Sequence, residues 1–593
     1  MIVSSNKTVA DLECFSYAVG HADEGVCILL KIGPYQILLD CGLRDASSCF
    51  KTSEVPATTQ MSSANNLSQK DTSYRRPPAD AVFCSHAHAD HARGLLGLHQ
   101  LYPDLPMYSS FVTAQLLHLN WLGETTVPDF CKPLDWRSPT EIFPDLTLQL
   151  WPAGHLPGAA SVLFTYRHEA HSYTVFYTGD FLLSNSRLVE GLPLEDVRGL
   201  QPDVLIVEGS YGTTRHTKRR QQENQLAEKI NQAIANGKSV LLPTPTLGIG
   251  QELLMLLRSH HHFTGRWLDI WVTPRIATGC DVYLDLLSYF PTSVQNFARY
   301  QPLFWDDRVR PRVKRLEAED QQRKRSTHPQ SIRTQLSEQS DDATPLVVLT
   351  DVETSLEQFC QLEHREWVLL LPRKLGQTSS VERAVCDQIQ FSPLLQDCIR
   401  SKRLTIDSYL LSEHCDGPGT VQLIHNIRPQ HVIFVHGSPN HLTDLTSLEE
   451  LQNRYHLHLP SADVRLELPV GETFIQPSPP EQRYEAELTE LKTAILVTLP
   501  KSLGDDTRWQ QLSDTGLLEV RWKDNELVIR GLQQEELLDQ DSHSAADDIR
   551  VCCDNCAYYR GQRCCNQSSS LFGLKVSPEG SCPAFEFVYQ EEE

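Results

Sequence analysis

A seven-residue motif near residue 90 constrains this chain more than any other feature of its sequence. A short apolar run leads into Ser85–His91, which reads Ser-His-Ala-His-Ala-Asp-His. In an extended segment, residues i and i+2 lie on the same side, so His86 and His88 can bind one metal ion together. Asp90 and His91 follow where the chain turns towards a helix, and they can face a second ion. The motif therefore predicts a two-metal site at the end of a β-strand.

Further candidate ligands occur where other apolar runs end. Asp40 follows Ile-Leu-Leu, Asp180 follows Val-Phe-Tyr-Thr-Gly, and His155 closes the turn Trp-Pro-Ala-Gly. Side chains at strand ends converge on one edge of a sheet. Imidazole and carboxylate without thiolate favour zinc in a catalytic site, which keeps an open position for water, over a closed structural site. Two such ions activate a water molecule and stabilise the charge that develops on phosphorus.

Length and charge limit the number of domains and the kind of partner. A chain of 593 residues is expected to form two to four folded units. The formal net charge of −23 argues against a protein that coats nucleic acid by bulk charge, so any contact with nucleic acid must be local. The N-terminus lacks a basic start followed by an apolar run, and no stretch is long enough to span a bilayer. We therefore expect a cytoplasmic protein without a membrane partner.

The middle of the chain alternates between helical and strand patterns, which is typical of an α/β protein. A helix is predicted over Glu223–Asn236, with apolar residues on one face and Gly237 as its stop. A strand is predicted over Ser239–Leu242 and a second helix over Gln251–Arg258. These elements indicate a Rossmann-like layer in this region.

The candidate ligands resemble, in their order, the four motifs of the metallo-β-lactamase superfamily. The resemblance implies that Asp40 orients the metal-binding loop and is not itself a ligand. It also implies two zinc ions. One is held by His86, His88 and His155. The other is held by Asp90 and His91, and Asp180 lies between the two ions.

Three later motifs resemble those of the β-CASP nucleases. Glu208 opens a Glu-Gly-Ser-Tyr-Gly turn like motif A, with Ser210 in place of the usual threonine. Ser412-Glu-His414 resembles motif B, and an apolar run ending in His436-Gly resembles motif C. By this resemblance His436 joins the second zinc ion, and His414, held by Glu208, protonates the leaving oxygen. An imidazole paired with a carboxylate is suited to that role near neutral pH.

The resemblance implies a zinc-dependent phosphodiesterase with Asp90, His414 and Glu208 as catalytic residues. Histidine at motif C, here His436, is typical of the RNA-cutting branch, whereas the DNA-repair branch carries an aliphatic residue. RNA is therefore the favoured substrate, cut internally or from the 5′ end, by a homodimer or within an RNA-processing complex. The alternatives are a DNA-directed β-CASP nuclease, a hydrolase of a small ester or thioester, and a catalytically weak RNA-binding scaffold.

The predicted fold is a metallo-β-lactamase αββα sandwich with an inserted Rossmann-like β-CASP cap domain and a small Cys-rich C-terminal domain. Polar stretches near 45–78, read as a disordered insertion, and near 317–344 interrupt these units, and Gln-Pro-Ser-Pro-Pro-Glu-Gln is a linker. The expected bounds are the first part of the sandwich at 1–207, the cap at 208–405, the returning part of the sandwich at 406–475, a small α/β module at 483–540 and the tail at 548–593.

The tail carries closely spaced cysteines. Thiols at such spacing in a cytosolic protein more often bind a metal than form disulfides. Zinc in a small ribbon or knuckle is the first interpretation, and an iron–sulfur cluster is the second. The four expected ligands, followed by two alternates, are Cys553, Cys556, Cys564, Cys582, Cys552 and Cys565.

Local positive charge after motif A provides a candidate substrate-binding rim. Arg215, Lys218 and Arg219 are expected to contact phosphate groups, together with Ser412 of motif B. Ile249 stands where the resembling cap domains carry arginine, in a segment expected to line the substrate groove. This departure predicts an unusual substrate or reduced activity.

Overall fold

The computed structural model forms two compact units, Met1–Pro480 and Glu481–Glu593. It describes residues 12–21, 24–45, 77–124, 126–168, 171–306, 308–317, 331–339, 344–362, 365–374 and 378–470, and in the second unit 487–491, 494–498, 518–523, 526–531 and separate residues between 553 and 576. The predicted polar insertion at 45–78 lies almost wholly outside the described residues. None of the described helices has the length and apolar composition needed to cross a membrane.

The first of two seven-stranded sheets contains the N-terminal strands. Its strand Leu12–Val19 alternates buried and half-buried residues, as expected for a sheet with one face in the core. In spatial order the strands are Val464–Glu467, Leu12–Val19, Val26–Ile32, Tyr35–Leu39, Ala81–Phe83, Met107–Ser110 and Cys131–Leu134.

The second seven-stranded sheet packs face to face against the first. Side chains of both sheets share one apolar core, in which the rings of Phe83 and Phe164 meet edge to face with centroids 6.1 Å apart. Its strands, in spatial order, are His456–His458, His431–Val435, Val204–Glu208, His171–Tyr177, Ala160–His168, Leu146–Pro152 and Thr140–Phe143. The helices of this part of the chain are Ala89–Ala92, Leu95–Leu101, Phe111–Leu116, Leu117–Trp121 (3₁₀), Leu194–Val197, Gly417–Ile427, Pro439–Thr446 and Glu449–Gln452.

A six-stranded, wholly parallel sheet is formed by residues that lie in the sequence between Val204–Glu208 and His431–Val435 of the second sheet. Its central strands are buried along their whole length, as expected when helices cover both faces. The strands, in spatial order, are Arg312–Arg315, Asp269–Val272, Leu346–Asp351, Ser239–Thr244, Trp367–Pro372 and Leu404–Tyr409. The helices are Arg219–Ala235, Ile249–Ser259, Pro274–Asp285, Leu287–Tyr289 (3₁₀), Thr292–Tyr300, Ile332–Gln339, Glu357–Cys360, Ser380–Phe391 and Pro393–Arg400. The predicted α/β class and Rossmann-like layer are confirmed.

One polar stretch was wrongly interpreted from sequence. Residues 317–344 were expected to be a surface insertion, but the described part contains the helix Ile332–Gln339. Leu336 of this helix is fully buried, and Gln335 exchanges hydrogen bonds with Glu317. Two apolar residues, Ile332 and Leu336, among polar neighbours are too weak a periodic signal to predict a helix.

The second unit contains three two-stranded antiparallel ladders among its described residues. They are Glu487–Leu491 with Ala494–Thr498, Leu518–Lys523 with Glu526–Gly531, and Tyr559–Arg560 with Arg563–Cys564. The small α/β module expected at 483–540 is thus described by strands alone.

Candidate active site

Parallel strands bring the predicted ligands together. Tyr35–Leu39 runs parallel to Ala81–Phe83, and His171–Tyr177, Val204–Glu208 and His431–Val435 run parallel in the other sheet. The residues that follow the C-terminal ends of these strands therefore meet at one edge of the sandwich. They include every metal ligand expected from the sequence except His155, which comes from a turn after Leu146–Pro152.

The first ligand cluster consists of His86, His88 and His155. One nitrogen from each ring lies within 4.8 Å of the others, and Nε2 of His155 is 2.9 Å from Nδ1 of His88. Nδ1 of His155 contacts the carbonyl oxygen of Glu413 at 2.8 Å. Burial lowers the pKa of His88 to about 4 and, with the charges of His414 and His88, that of His155 to about 3. Both rings are neutral at neutral pH, the state that binds a metal ion.

The second cluster consists of Asp90, His91 and His436. Their candidate ligand atoms lie within 4.8 Å of one another, and Nε2 of His436 is 3.4 Å from Oδ2 of Asp90. Burial opposes protonation of both rings, but nearby carboxylates outweigh it. Asp180 and Asp40 raise the pKa of His91, and Asp180 with Asp90 raises that of His436 to about 9. The cluster therefore stabilises positive charge.

Asp180 lies between the two clusters and faces each with a different oxygen. Oδ2 is 3.7 Å from Nε2 of His86 and 3.7 Å from Nε2 of His155. Oδ1 is 3.3 Å from Nε2 of His91 and 3.1 Å from Nδ1 of His436. Two cations could therefore share this carboxylate.

Buried polar atoms without partners show that this residue set fits metal ions. Nε2 of His86, Nε2 of His91 and Oδ1 of Asp180 are buried, and among the described residues none of them has a partner in hydrogen-bonding geometry, although Oδ1 lies 3.3 Å from Nε2 of His91. Such atoms cost free energy unless something pairs with them. Because all the converging donors are nitrogen and oxygen, divalent cations would satisfy them.

Asp40 fixes the ring of His91, one of the candidate metal ligands. Its Oδ2 contacts Nδ1 of His91 at 2.8 Å and accepts hydrogen bonds from Ser85 Oγ at 2.8 Å and Tyr177 Oη at 2.6 Å. Its Oδ1 accepts one from the Ser85 N–H at 2.6 Å. The contact with Nδ1 leaves Nε2 of His91 directed to the cluster. Tyr177 was missed by sequence reasoning, since a tyrosine in an apolar strand gives no signal of its hydroxyl contact.

Gly42 packs so closely against the loop that carries Asp90 and His91 that any side chain would displace this loop. A Cβ there would lie 1.6 Å from the carbonyl oxygen of Asp90. Gly42→Ala is expected to destabilise the fold by about 1–3 kcal/mol and to lower bound metal per chain. Thermal unfolding and metal analysis of the purified variant check this. Gly97→Ala is the control, because a Cβ at Gly97 meets nothing within 4 Å and lies in a helix. Unchanged metal content in Gly42→Ala would contradict the packing account.

His414 and Glu208 form a buried pair beside the clusters. Nδ1 of His414 is 3.0 Å from Oε2 and 3.1 Å from Oε1 of Glu208. The N–H of Phe181 also donates to Oε1 of Glu208, at 2.8 Å. Burial opposes ionisation of Glu208, but the charge of His414 outweighs it and lowers the pKa of Glu208 to about 2. Glu208 therefore stays ionised and holds the imidazole through Nδ1.

Two family models match the regions that supply these side chains. The Beta-lactamase superfamily domain matches residues 35–233, and the Zn-dependent metallo-hydrolase RNA specificity domain matches residues 401–460. The first match contains the strand-end ligands and Glu208, and the second contains His414 and His436.

Known proteins match over most or part of the chain. The uncharacterized protein sll0514 of Synechocystis sp. is 41% identical over 99% of this chain and 99% of its own length. Probable RNase MJ4 of Methanocaldococcus jannaschii is 29% identical over 41% of this chain and 56% of its own length. Endoribonuclease YSH1 of Mycosarcoma maydis is 24% identical over 81% of this chain and 52% of its own length. The chain thus spans about half the length of the two relatives named as ribonucleases.

The chain belongs to the β-CASP family of the metallo-β-lactamase superfamily. As predicted from sequence, the sandwich of this β-CASP protein carries the candidate metal ligands at one edge. The six-stranded sheet corresponds to the inserted cap.

Two of the four residues expected to bind substrate have structural roles in this β-CASP protein. Arg215 and Lys218 are exposed. Arg219 is only 8% exposed, and its guanidinium contacts Glu252 at 3.2 Å and donates to the carbonyl oxygen of Ser412. Ser412 is 2% exposed, and its hydroxyl donates to the carbonyl oxygen of His414 at 2.8 Å. Substrate binding by these two stays a prediction, although both are buried in contacts within the protein. Adjacent basic residues in sequence do not reveal which one is buried by pairing.

The departure at Ile249 does not alter a groove surface. Ile249 is 3% exposed and packs in the apolar core of the β-CASP cap. Nearby, the carboxylate of Glu252 accepts hydrogen bonds from Ser186 Oγ at 2.7 Å and from the N–H groups of Arg187 and Leu188 at 3.0 and 2.9 Å. Glu252 therefore attaches the cap to a loop of the sandwich. The expected effect of Ile249 on substrate choice is not supported.

The tail of this β-CASP protein is described only in part. Cys553, Cys556 and Cys564 are buried, whereas Cys565 is exposed. The N–H of Cys556 donates to the carbonyl oxygen of Cys553 at 3.1 Å, and a short ladder pairs Tyr559 with Cys564. The other two expected ligands, Cys552 and Cys582, lie outside the described residues.

Proposed function

We propose that this β-CASP protein is a phosphodiesterase that hydrolyses RNA and uses two zinc ions. The observation that supports it best is Asp180, whose two oxygens face two separate ligand clusters beside the His414–Glu208 pair. In this proposal His86, His88 and His155 would hold one ion, Asp90, His91 and His436 would hold the other, and Asp180 would serve both. Residues 208–405 act as the cap and residues 406–475 complete the sandwich.

The residues divide the work of hydrolysis between them. Zinc ions bound there would supply Lewis-acid activation of water and would neutralise negative charge on the phosphate. Glu208 holds Nδ1 of His414, so the proton that leaves with the substrate oxygen comes from Nε2. Asp40 keeps His91 oriented, and a fixed ligand geometry reduces reorganisation during the reaction.

Three observations support RNA as the substrate. The second matched family model is described as an RNA specificity domain and covers His414 and His436. His436 occupies the position of motif C and contacts Asp90. Two relatives carry ribonuclease names.

Hydrolysis of labelled single-stranded RNA and DNA of the same sequence by zinc-loaded protein tests this proposal. We expect RNA to be cut, and Asp90→Ala and His414→Ala to lose that activity. His118→Ala, which changes an exposed histidine away from the ligands, is the matched control and keeps it. The ladder of products reports internal or 5′-terminal attack. Cutting of DNA alone would contradict the proposal, and turnover of small esters with no nucleic acid cut would favour a small-substrate hydrolase.

We also propose that the tail binds a metal through Cys553, Cys556, Cys564 and Cys582, as zinc or as an iron–sulfur cluster. Burial of three of these thiols in so short a segment supports it. Cys556→Ser is expected to remove one zinc, or the iron, per chain and leave the two-zinc site loaded, as measured by elemental analysis and visible absorption. Cys386→Ser, at an exposed thiol of the cap, is the control. Identical metal content in the two variants would contradict the tail site.

Location in the cytoplasm and assembly as a homodimer or within an RNA-processing complex remain predictions. Light scattering of the purified chain measures its oligomeric state, and recovery of tagged protein with bound RNA tests assembly within an RNA-processing complex.

A further inference from the structure

Glu413 is an unusual carboxylate in the active site. Three neighbouring carboxylates form hydrogen bonds within the protein: Asp40 contacts His91, Glu208 contacts His414, and Glu252 accepts backbone hydrogen bonds. The Glu413 carboxylate accepts no hydrogen bond from the residues that the structure describes, although it lines a narrow cavity between the sandwich and the cap. Glu413 is half-buried, so a donor on a bound ligand would replace water at its carboxylate.

A second unpartnered atom lies beside Gly248, which lines this cavity. Nδ1 of His88 is directed to His155, and its buried Nε2 has no hydrogen-bond partner within the described part of the chain. A Cβ added to Gly248 would lie 2.8 Å from Oε1 of Glu413 and 3.2 Å from Nε2 of His88. Gly248, at φ +90°, therefore keeps open a gap that is flanked by these two atoms.

The two atoms call for a ligand group with two properties. With Nδ1 turned to the ligand cluster, Nε2 of His88 carries the ring proton and is a donor. Glu413, when ionised, is only an acceptor. A hydroxyl group can accept from the first and donate to the second, whereas an ionised phosphate oxygen has no proton to donate to Glu413. Next to a scissile phosphate, RNA offers one such group that DNA lacks, the ribose 2′-hydroxyl.

We propose that Glu413, with His88, binds the 2′-hydroxyl of the nucleotide at the cleaved bond and so sets a preference for RNA over DNA. This inference rests on the proposed nuclease function. No covalent change is involved, since Glu413 acts by recognition alone. Loss of a hydrogen bond to a charged group is expected to lower the preference about 10- to 100-fold.

The test compares kcat/KM for an RNA strand and for the same strand with one 2′-deoxy nucleotide at the cleaved position. We expect Glu413→Ala to lower turnover of the all-RNA strand much more than that of the deoxy strand, so that their ratio falls 10- to 100-fold. Glu413→Gln, which keeps an amide acceptor, should retain part of the ratio. Glu382→Ala, a carboxylate on a separate cap helix, is the matched control and should keep the wild-type ratio.

Two further readouts separate recognition from damage to the site. Zinc content and thermal unfolding should match the wild type in Glu413→Ala. In the inactive His414→Ala protein, fluorescence anisotropy should show that the deoxy strand binds more weakly than the all-RNA strand. When Glu413→Ala is added, this difference should disappear. RNA hydrolysis with an unchanged ratio, or loss of zinc that accounts for the lost activity, would overturn the inference and leave the proposed function standing. Failure of the wild-type protein to cut any nucleic acid would overturn both.

Discussion

Asp180→Asn is expected to lower the rate of RNA hydrolysis by at least about 10³-fold and to reduce bound zinc below two ions per chain. The reason is its position: Oδ2 faces the His86–His155 side and Oδ1 faces the His91–His436 side. An amide of nearly the same shape removes the negative charge that both cations need. Rates of single-turnover cleavage and elemental analysis of the same sample measure the two effects.

The matched control is Asp196→Asn, an equally conservative change at a half-exposed aspartate that pairs with Arg137 on the surface. It should leave both zinc content and rate near the wild-type values, because exposed ion pairs contribute little. An Asp180→Asn variant that keeps two zinc ions and full activity would refute a shared carboxylate.

His414→Ala is expected to lower the rate of RNA hydrolysis about 10²- to 10⁴-fold while the zinc content stays at two ions per chain. Its Nδ1 is held by Glu208, and its proposed task is to give a proton to the leaving oxygen. A substrate whose leaving group needs no proton should therefore be spared. Parallel rates with RNA and with bis(para-nitrophenyl) phosphate measure the difference.

Glu208→Gln provides the companion measurement. The amide keeps the size of the side chain but forms a weaker hydrogen bond with Nδ1 of His414. We therefore expect a smaller loss of RNA hydrolysis than in His414→Ala, with the same dependence on the leaving group. Equal losses with both substrates in His414→Ala would show that the imidazole positions the site and does not act as an acid.

The residues that meet at the candidate metal site could be predicted from sequence because their signal is local. In the motif containing His86 and His88, spacing alone places side chains on one side of an extended chain. Asp180 and His436 each follow a buried strand, and parallel strands end at a common edge. Such features depend on neighbours in the chain, so the fold class and the ligand positions follow from them.

The failures concern residues whose environment is set by distant partners. Arg219 resembles Lys218 and Arg215 in sequence, yet contacts with Glu252 and the backbone of Ser412 bury it. Ile249 was interpreted as a groove residue, but it packs into the cap core. Only the packed structure shows which member of a charged or apolar group faces solvent.

Glu413 was missed for a related reason. Its position inside motif B marks it only as the residue between Ser412 and His414. Its relevance comes from Gly248, which lies more than 160 residues earlier in the chain and leaves the gap beside it open. Close approach of the cap loop to the sandwich is a tertiary feature that no local pattern encodes.

The most direct test of the central claim is cleavage of RNA by the zinc-loaded protein in oxygen-18-labelled water, with mass analysis of the first products. Attack by water on phosphorus at the two-metal site predicts a terminal phosphate that carries one labelled oxygen and, on the other fragment, an unlabelled hydroxyl. An initial product with an unlabelled 2′,3′-cyclic phosphate would show attack by the ribose itself, and it would contradict the proposed role of the metal site.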